Sequence, residues 1–330
     1  MKGLLRKALI GVLVSLIVLL LITVFFGIRL SDVSAVGLNA FLFSCLLSVG
    51  SLLARGARFP IILRRYHGGL RVGFFKALLV RLGSEFIALV SFAYVGDEVF
   101  RLGWLTRKGV DSGYAAWIAY MEIFFDVLIG TALSLISAAF LLVHGAMLIG
   151  GATAAIAGVT LVLHLVFLTY SVKHVFHLPS IVHRLLKYLP GSLGERIYKA
   201  VDETLTEFSI VAQSVVGERN LGLILANILL TLLGALFLAG SLQVLLNAVG
   251  IGVDLLVAMV IVFASVALST LPVTIGGSGL SEVGAAFSAL AFYSENPWGA
   301  VVAWRIATYH IPLLLCGLAM AIVLAEFGKP

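Results

Sequence analysis

The sequence LPVTIGGSGLSE occupies residues 271–282, where an apolar segment at 251–271 is followed by another at 272–293. One proline and three glycines stand within eight residues, at Pro272, Gly276, Gly277 and Gly279. Proline removes a backbone donor and glycine has a low helix propensity, so this composition ends a helix. Glu282 follows in apolar surroundings. The segment therefore predicts a helix that is interrupted inside a strongly apolar region.

The composition of the whole chain excludes a water-soluble protein. The 330 residues are 61% hydrophobic and 12% charged, with a mean hydropathy of +1.14. Soluble domains carry about 45–50% apolar and about 25% charged residues. A cytosolic enzyme, a secreted domain and a disordered chain are therefore excluded. The sequence predicts an all-α polytopic membrane protein, forming a single integral membrane domain over residues 1–330.

The apolar segments set the number of predicted helices. A spanning helix needs about 20 apolar residues. We predict about seven transmembrane helices and two re-entrant segments, which enter the membrane and return to the same side. The apolar segments lie at about 8–27, 33–54, 73–95, 113–143, 147–170, 220–247, 251–271, 272–293 and 298–325.

Basic residues predict the orientation. They precede the first apolar segment, which we interpret as a retained helix with a cytoplasmic N-terminus. Residues 55–71 contain five arginines and no acidic residue, and the polar stretch 171–219 contains six basic residues. Both are predicted to be cytoplasmic. The net charge of +6 thus points to anionic lipid rather than to nucleic acid.

Three apolar segments separate these two basic stretches, and an odd number of crossings would place them on opposite sides. The segment 73–95 is the weakest candidate for a crossing, because Lys76, Arg81 and Glu85 interrupt it and intramembrane charge is costly. We predict that it enters from the cytoplasm, breaks near Val95-Gly96-Asp97 and returns through 98–110. Such a segment implies a cavity lined by protein or water.

The rest of the chain suggests a connector and a repeat. Residues 171–219 predict two amphipathic helices on the cytoplasmic membrane surface, broken at Pro190-Gly191-Ser192. Gly83-Ser84-Glu85 and Leu280-Ser281-Glu282 are similar, and each precedes a long apolar helix. They suggest repeat halves at 1–143 and 219–326, as in many transporters. Chance similarity is the alternative, because a few residue types dominate this chain.

Ionisable residues inside apolar segments are the candidate functional residues, because they are costly in lipid. For the charged residues, the alternative to a binding role is a structural ion pair. For the glycines, the alternative is close helix packing through small residues. The glycines suggest backbone N–H groups that hold a phosphate. The candidate substrate-binding residues are Glu85, Asp97, Glu98, Arg101, Glu122, Asp126, Gly276, Gly277, Gly279, Glu282 and Arg305. No cofactor or metal is expected, and Cys45 and Cys316 are interpreted as buried free thiols.

Three spaced motifs resemble a known family. They are Pro272-x-x-x-Gly276-Gly277-x-Gly279-x-x-Glu282 followed by Arg305 and Pro312, then Glu98-x-x-Arg101-x-x-x-Leu105, and Glu122-x-x-x-Asp126. Together they resemble the lysylphosphatidylglycerol synthase transmembrane family (UPF0104), the flippase-like membrane domain of multiple peptide resistance factor. This chain departs from the family pattern at Ile123, where arginine is frequent, and at Asp97, which is inserted before Glu98.

The resemblance implies a lipid flippase-like transporter of the cell membrane, not an enzyme. It would move a phospholipid, or an aminoacylated or glycosylated lipid, between leaflets. Its partners would be membrane lipids, with no nucleic acid, and a second copy or a lipid-modifying enzyme is a further expected partner. The alternatives are a membrane-embedded lipid or glycosyl transferase, with Glu282 or Asp97 as base, and a non-catalytic partner of a lipid-modifying enzyme.

Overall fold

A computed structural model describes residues 2–67, 69–91, 96–188, 192–217 and 220–327, and all regular structure in these ranges is helical. The prediction of an all-α polytopic membrane protein is confirmed. The helices are α1 (Lys2–Phe25), α2 (Leu30–Ser34), α3 (Leu38–Gly56), α4 (Arg58–Tyr66), α5 (Phe74–Leu89), α6 (Asp97–Arg107), α7 (Ser112–Val143), α8 (Met147–Lys173), α9 (Ser180–Leu186), α10 (Leu193–Val215), α11 (Leu221–Ala248), α12 (Leu255–Ser269), α13 (Leu280–Leu290), α14 (Trp298–Arg305) and α15 (Ile311–Phe327), with a π turn at Ile306–His310 between the last two.

Five helical stretches within the described ranges are long and apolar enough to cross a membrane. Three further apolar helical segments of 10–17 residues lie outside these stretches, at Val12–Phe25, Leu255–Ser269 and Leu280–Leu290, and the second of them is α12 with 15 residues. At about 1.5 Å per residue, α12 is shorter than the roughly 30 Å hydrocarbon core, so the segment 251–271 does not form a spanning helix of its own. The five stretches are Leu38–Tyr66, Ser112–Val143, Met147–Lys173, Leu221–Ala248 and Trp298–Glu326.

Two pairs of short helices form hairpins. The first hairpin consists of α5 and α6, with 16 and 11 residues, and the second consists of α12 and α13, with 15 and 11 residues. The two helices of each pair contact one another. The predicted break near Val95-Gly96-Asp97 lies between α5 and α6, where Gly96 has a φ of 128°, although Val95 is outside the described residues. Both breaks predicted from the sequence thus separate helices too short to span.

Aromatic contacts bring the two basic stretches to one end of the bundle. The ring of Trp117 near the start of α7 lies 6.3 Å from Tyr66 and 5.7 Å from Phe208, centroid to centroid. Lys76 at the start of α5 forms an ion pair with Glu326 near the end of α15. We call this end, formed by residues 64–67, 69–76, 107–117, 174–188, 192–208 and 326, the basic end.

The second hairpin opens at the other end. Phe26 stacks on Trp298 at 3.8 Å, His144 lies 4.8 Å from Phe292, and the Tyr293 hydroxyl donates to the Gly252 carbonyl at 3.4 Å. The ends of α1, α7, α11 and α13 therefore gather there.

The two hairpins thus enter the bundle from opposite ends, and their tips meet inside it. The Gly276 N–H of the second tip donates to the Ser91 carbonyl of the first at 3.3 Å. Each hairpin is followed by a long apolar stretch, which is the arrangement of an inverted repeat. The similar sequences at 83–85 and 280–282 lie in the first arm of one hairpin and the second arm of the other, so they are not equivalent in this arrangement. The repeat itself stays a prediction.

The connector is only partly a surface element. Phe208 and Ala212 of α10 are buried against α7 and α8, so the second half of α10 packs on the bundle. Ile197 and Val201 in its first half are exposed, as are Ile181 and Leu185 of α9. The predicted break at Pro190-Gly191-Ser192 falls mostly outside the described residues, with α9 ending at Leu186 and α10 beginning at Leu193.

This arrangement predicts the result of single-cysteine labelling in cells. In a chain with Cys45 and Cys316 replaced by serine, Arg64→Cys and Tyr188→Cys should react with an impermeant maleimide from the same side of the membrane. Glu295→Cys should react from the other side, because it lies at the opposite end of the bundle and is exposed. Labelling of positions 64 and 188 from different sides would contradict the first hairpin as a re-entrant element.

Candidate functional site

A cavity of about 380 Å³ lies beside the meeting point of the two hairpins. Both hairpins line it, together with residues of α3, α7, α8, α11 and the π turn. One part of its wall is charged, and the rest is made of hydroxyl-bearing and apolar side chains. Seven predicted site residues line the cavity, namely Glu85, Asp97, Glu98, Arg101, Glu122, Asp126 and Arg305.

Glu122 is the centre of the charged part. Its carboxylate accepts hydrogen bonds from the guanidinium groups of Arg81 and Arg101, and Arg58 Nη2 lies 3.7 Å from its Oε1. The side chain is only 1% exposed. The three arginines come from α4, α5 and α6, so one carboxylate on α7 ties three helices together.

The first hairpin supplies further pairs. Arg101 Nη2 lies 3.0 Å from Asp97 Oδ2 and 3.9 Å from Glu98 Oε1. Arg81 pairs with Glu85 one turn along α5, and its Nη1 lies 3.8 Å from Asp97. The candidate residues Asp97, Glu98 and Arg101 therefore lie together at the break, and their cluster extends to α7 through Glu122.

Asp126 has a partner that the sequence did not reveal. Arg58 Nη2 lies 2.6 Å from Asp126 Oδ2, and Arg58 Nη1 donates to the Thr231 hydroxyl at 2.8 Å. Arg58 is completely buried. The interpretation of 55–71 as one cytoplasmic loop is wrong at its start, because α3 continues to Gly56 and α4 covers 58–66.

The sequence did carry a signal for this buried arginine. Arg58 directly precedes the apolar run Phe59–Leu63, whereas the exposed arginines 64 and 65 are adjacent to each other. Arg81 was marked by a related signal, because it interrupts the apolar segment 73–95. Arg55, one turn before Arg58, also joins the cluster, with its Nη2 3.8 Å from Glu85 Oε1.

These charges are stabilised because each buried member has an opposite charge next to it. An uncompensated buried charge costs several kcal/mol, and pairing with good hydrogen bonds offsets much of that cost. Glu98 and Asp126 remain 33% exposed, so they are the carboxylates of the cluster most accessible to a ligand in the cavity. The cluster can hold the first hairpin in place and present acidic groups to the cavity.

Arg305 needs a partner inside the membrane, and Glu282, the nearest acidic residue in the apolar segment before it, is the one expected from the sequence. The two form that pair, with Arg305 Nε 3.0 Å from Glu282 Oε1. Arg305 also donates to the Gly276 carbonyl and, at 3.3 Å, to the Ser278 hydroxyl. Its guanidinium lies 4.1 Å from the centroid of the Tyr309 ring. Arg305 lines the cavity, whereas Glu282 is completely buried behind it. The pair therefore fixes the tip of the second hairpin.

The glycines of this tip are explained by backbone shape and packing. Gly276, Gly277 and Gly279 have φ values of 57°, 63° and 92°, a region that side-chain-bearing residues avoid. A Cβ on Gly276 would overlap the Tyr309 ring. The N–H of Gly276 donates to Ser91, and the N–H of Gly279 donates to Glu282 Oε2 at 2.7 Å.

These two N–H groups are therefore already used inside the protein, and none of the three glycines lines the cavity. These contacts favour the packing alternative for the three glycines, and their binding of a phosphate stays a prediction. Tyr309 is the residue that sequence reasoning missed here. Its hydroxyl donates to the Leu89 carbonyl at 2.7 Å, so it joins the second tip to the end of α5.

A metal centre is not apparent in the parts of the chain that the structure describes, where no three His, Cys, Asp or Glu side chains are placed to hold an ion. Cys45 and Cys316 are free thiols.

Comparison with known proteins agrees with this picture. A family model described as the lysylphosphatidylglycerol synthase TM region matches residues 8–316. A UPF0104 membrane protein from Archaeoglobus fulgidus is 26% identical over 270 residues, which cover 79% of this chain and 80% of that protein.

Proposed function

This chain belongs to the lysylphosphatidylglycerol synthase transmembrane family, and we propose that it moves a phospholipid or a modified lipid between the two leaflets of the cell membrane. The family supports a role connected with membrane lipids. Translocation is the step that we add from the geometry of the site.

The cavity between two oppositely directed hairpins is the observation that carries this proposal. Binding sites of transporters with inverted repeats lie near the bilayer midplane, at the interface of the repeats, and interrupted helices form them. Here the tips meet through Gly276 and Ser91, and both hairpins contribute side chains to the cavity. A shift of either hairpin would open the cavity toward the end from which that hairpin enters.

The surroundings of the cavity suit a lipid. Its volume is within the roughly 300–1,000 Å³ range of ligand pockets, which is enough for a headgroup. Ile156 and Thr160 of α8 line it, while Val159 and Leu163 of the same helix are about 60% exposed. A single helix thus separates the cavity from the surrounding lipid. A headgroup would enter past α8 while its acyl chains stay in the bilayer.

The orientation follows from charge. We propose that the basic end and the N-terminus are cytoplasmic, where basic residues are retained and anionic lipids are enriched. A membrane-embedded lipid or glycosyl transferase is less well supported, because Glu282 is buried, pairs with Arg305 and does not line the cavity. Asp97, the other proposed base, is also held in an ion pair, because its Oδ2 lies 3.0 Å from Arg101 Nη2.

The test is lipid movement in vesicles that contain the purified protein and no ATP. We expect labelled lipid to become accessible in the outer leaflet, because the sequence has no nucleotide-binding motif and translocation would follow the lipid gradient. The expected rate exceeds that of protein-free vesicles.

Filling the cavity should stop this movement. Gly130 lines the cavity, and a Cβ there would meet no atom within 4 Å. Gly130→Phe should therefore fold normally and reduce lipid movement to the rate of empty vesicles. Gly151→Phe is the matched control, because this α8 glycine also faces open space but lies outside the cavity. Wild-type movement by folded Gly130→Phe would overturn the proposed route.

A further inference from the structure

The uncharged wall of the cavity carries many hydroxyl groups whose protons are already used. Six of its serine and threonine side chains donate to backbone carbonyls of the protein. The donations run from Ser51 to Gly234 at 2.8 Å, Thr131 to Val127 at 2.5 Å, Ser134 to Phe263 at 2.9 Å, Ser269 to Val266 at 2.7 Å, Thr270 to Ala267 at 2.7 Å and Thr308 to Trp304 at 2.7 Å.

A hydroxyl has one proton and two lone pairs, so each of these groups can offer a ligand only an acceptor. The charged wall adds further acceptors, because Glu98 and Asp126 keep a third of their side chains exposed, while Arg81 and Arg101 direct donors at carboxylates of the cluster. It also carries a donor group in Arg55, whose side chain is 37% exposed. The cavity therefore offers acceptors from both sides, and Arg55 is the most exposed of its lining cations.

We infer that the cavity selects lipid headgroups that donate hydrogen bonds, and this inference rests on the proposed function. The donors would be the hydroxyls of a sugar or polyol headgroup, or the ammonium of an amino headgroup. A headgroup that has no donors would displace water from the cavity and leave these acceptors without a hydrogen-bond partner. Sites built from buried polar groups discriminate strongly against such analogues.

The test uses pairs of lipids matched in charge. Phosphatidylinositol and phosphatidylmethanol are both anionic, but only the first carries hydroxyl donors. Phosphatidylethanolamine and phosphatidylcholine are both zwitterionic, but only the first has an ammonium that donates. Binding to the detergent-solubilised protein is measured by the shift in its thermal unfolding temperature, and movement is measured in vesicles. In at least one pair, we expect the lipid with the hydrogen-bond donor to bind more tightly and to move faster than its matched lipid. The pair that shows this difference identifies the donor as the hydroxyl or the ammonium.

Thr131→Val tests the wall directly, because it keeps the side-chain volume and removes the acceptor. The preference for the donor lipid should fall by roughly two- to tenfold, the effect of one neutral hydrogen bond. Thr23→Val is the matched control. Thr23 also donates to a carbonyl one turn earlier, at 2.8 Å from Leu19, but lies outside the cavity. Ser134→Ala repeats the test if Thr131→Val does not fold.

The outcomes separate this inference from the proposed function. Equal binding and movement within both lipid pairs would overturn the donor preference and leave translocation standing. A binding preference without movement of any lipid would support the preference and overturn translocation. A preference that survives in both Thr131→Val and Ser134→Ala would show that the hydroxyl wall does not cause it, and would overturn the inference.

Discussion

Replacing Glu122 with glutamine should reduce the stability of the protein more than the same change at any other acidic residue of the cluster. Arg58, Arg81 and Arg101 all lie against this carboxylate, and Glu122 is 1% exposed. Removing one member of a buried ion pair costs about 3–5 kcal/mol, because the remaining charge stays buried. We expect a large fall in the thermal unfolding temperature of the purified protein and a low yield of folded material.

Asp126→Asn is the matched control. Asp126 is one turn away on the same helix and also pairs with Arg58, but a third of its side chain is exposed. Solvent screens such a group, so its loss should lower the unfolding temperature much less. If the two variants were equally stable, Glu122 would not be the centre of the cluster.

The double variant Glu122→Gln with Arg101→Gln tests the coupling. Arg101 donates to Glu122, so removing both eliminates a buried positive charge that the single variant leaves with Asp97 alone as its close partner. The double variant should lose less stability than the two single variants together, because residues in one ion-pair network are not additive. Additive losses would show that the contact contributes little.

The sequence predicted the class of the fold and the positions of both breaks because these features depend on local composition. Proline and glycine at 272–279 end a helix wherever they stand, and an apolar content of 61% requires a membrane. The cavity was also predicted, because charges within an apolar segment need polar surroundings.

The partners of Glu122 and Asp126 could not be predicted, because they depend on how distant segments meet. Arg58 and Asp126 are 68 residues apart, and the charge pattern alone does not show how deeply Arg58 lies. The same limit applies to the glycines. The sequence shows that 276–279 is a glycine-rich turn, but only the fold shows that the Ser91 carbonyl accepts from the Gly276 N–H and that the Tyr309 ring fills the space beside Gly276.

The second large effect is expected at Arg305. Arg305→Ala leaves Glu282 buried without its partner and removes the donors to Gly276 and Ser278. We expect it to destabilise the protein by about 3–5 kcal/mol and to abolish lipid movement, because the tip of the second hairpin loses its anchor. Arg305→Lys should fold better, since the charge remains, but it should move lipid poorly, since an ammonium lacks the planar fork of donors.

Reversing the pair separates charge balance from geometry. In the variant Glu282→Arg with Arg305→Glu the net charge is unchanged, but a carboxylate would face the Gly276 carbonyl, and the Gly279 N–H would lose its acceptor. We expect more folded protein than in either single variant, and no lipid movement.

The Lys76→Glu with Glu326→Lys reversal is the control for this experiment. That pair joins α5 to α15, just as Glu282 and Arg305 join α13 to α14, but both of its side chains are about half exposed. Exposed pairs contribute little to stability. The control should keep both folding and movement. Full lipid movement by the reversed Glu282–Arg305 pair would mean that these two residues only balance charge. The binding role would then fall to Asp97, Glu98 and Arg101, which line the same cavity from the first hairpin.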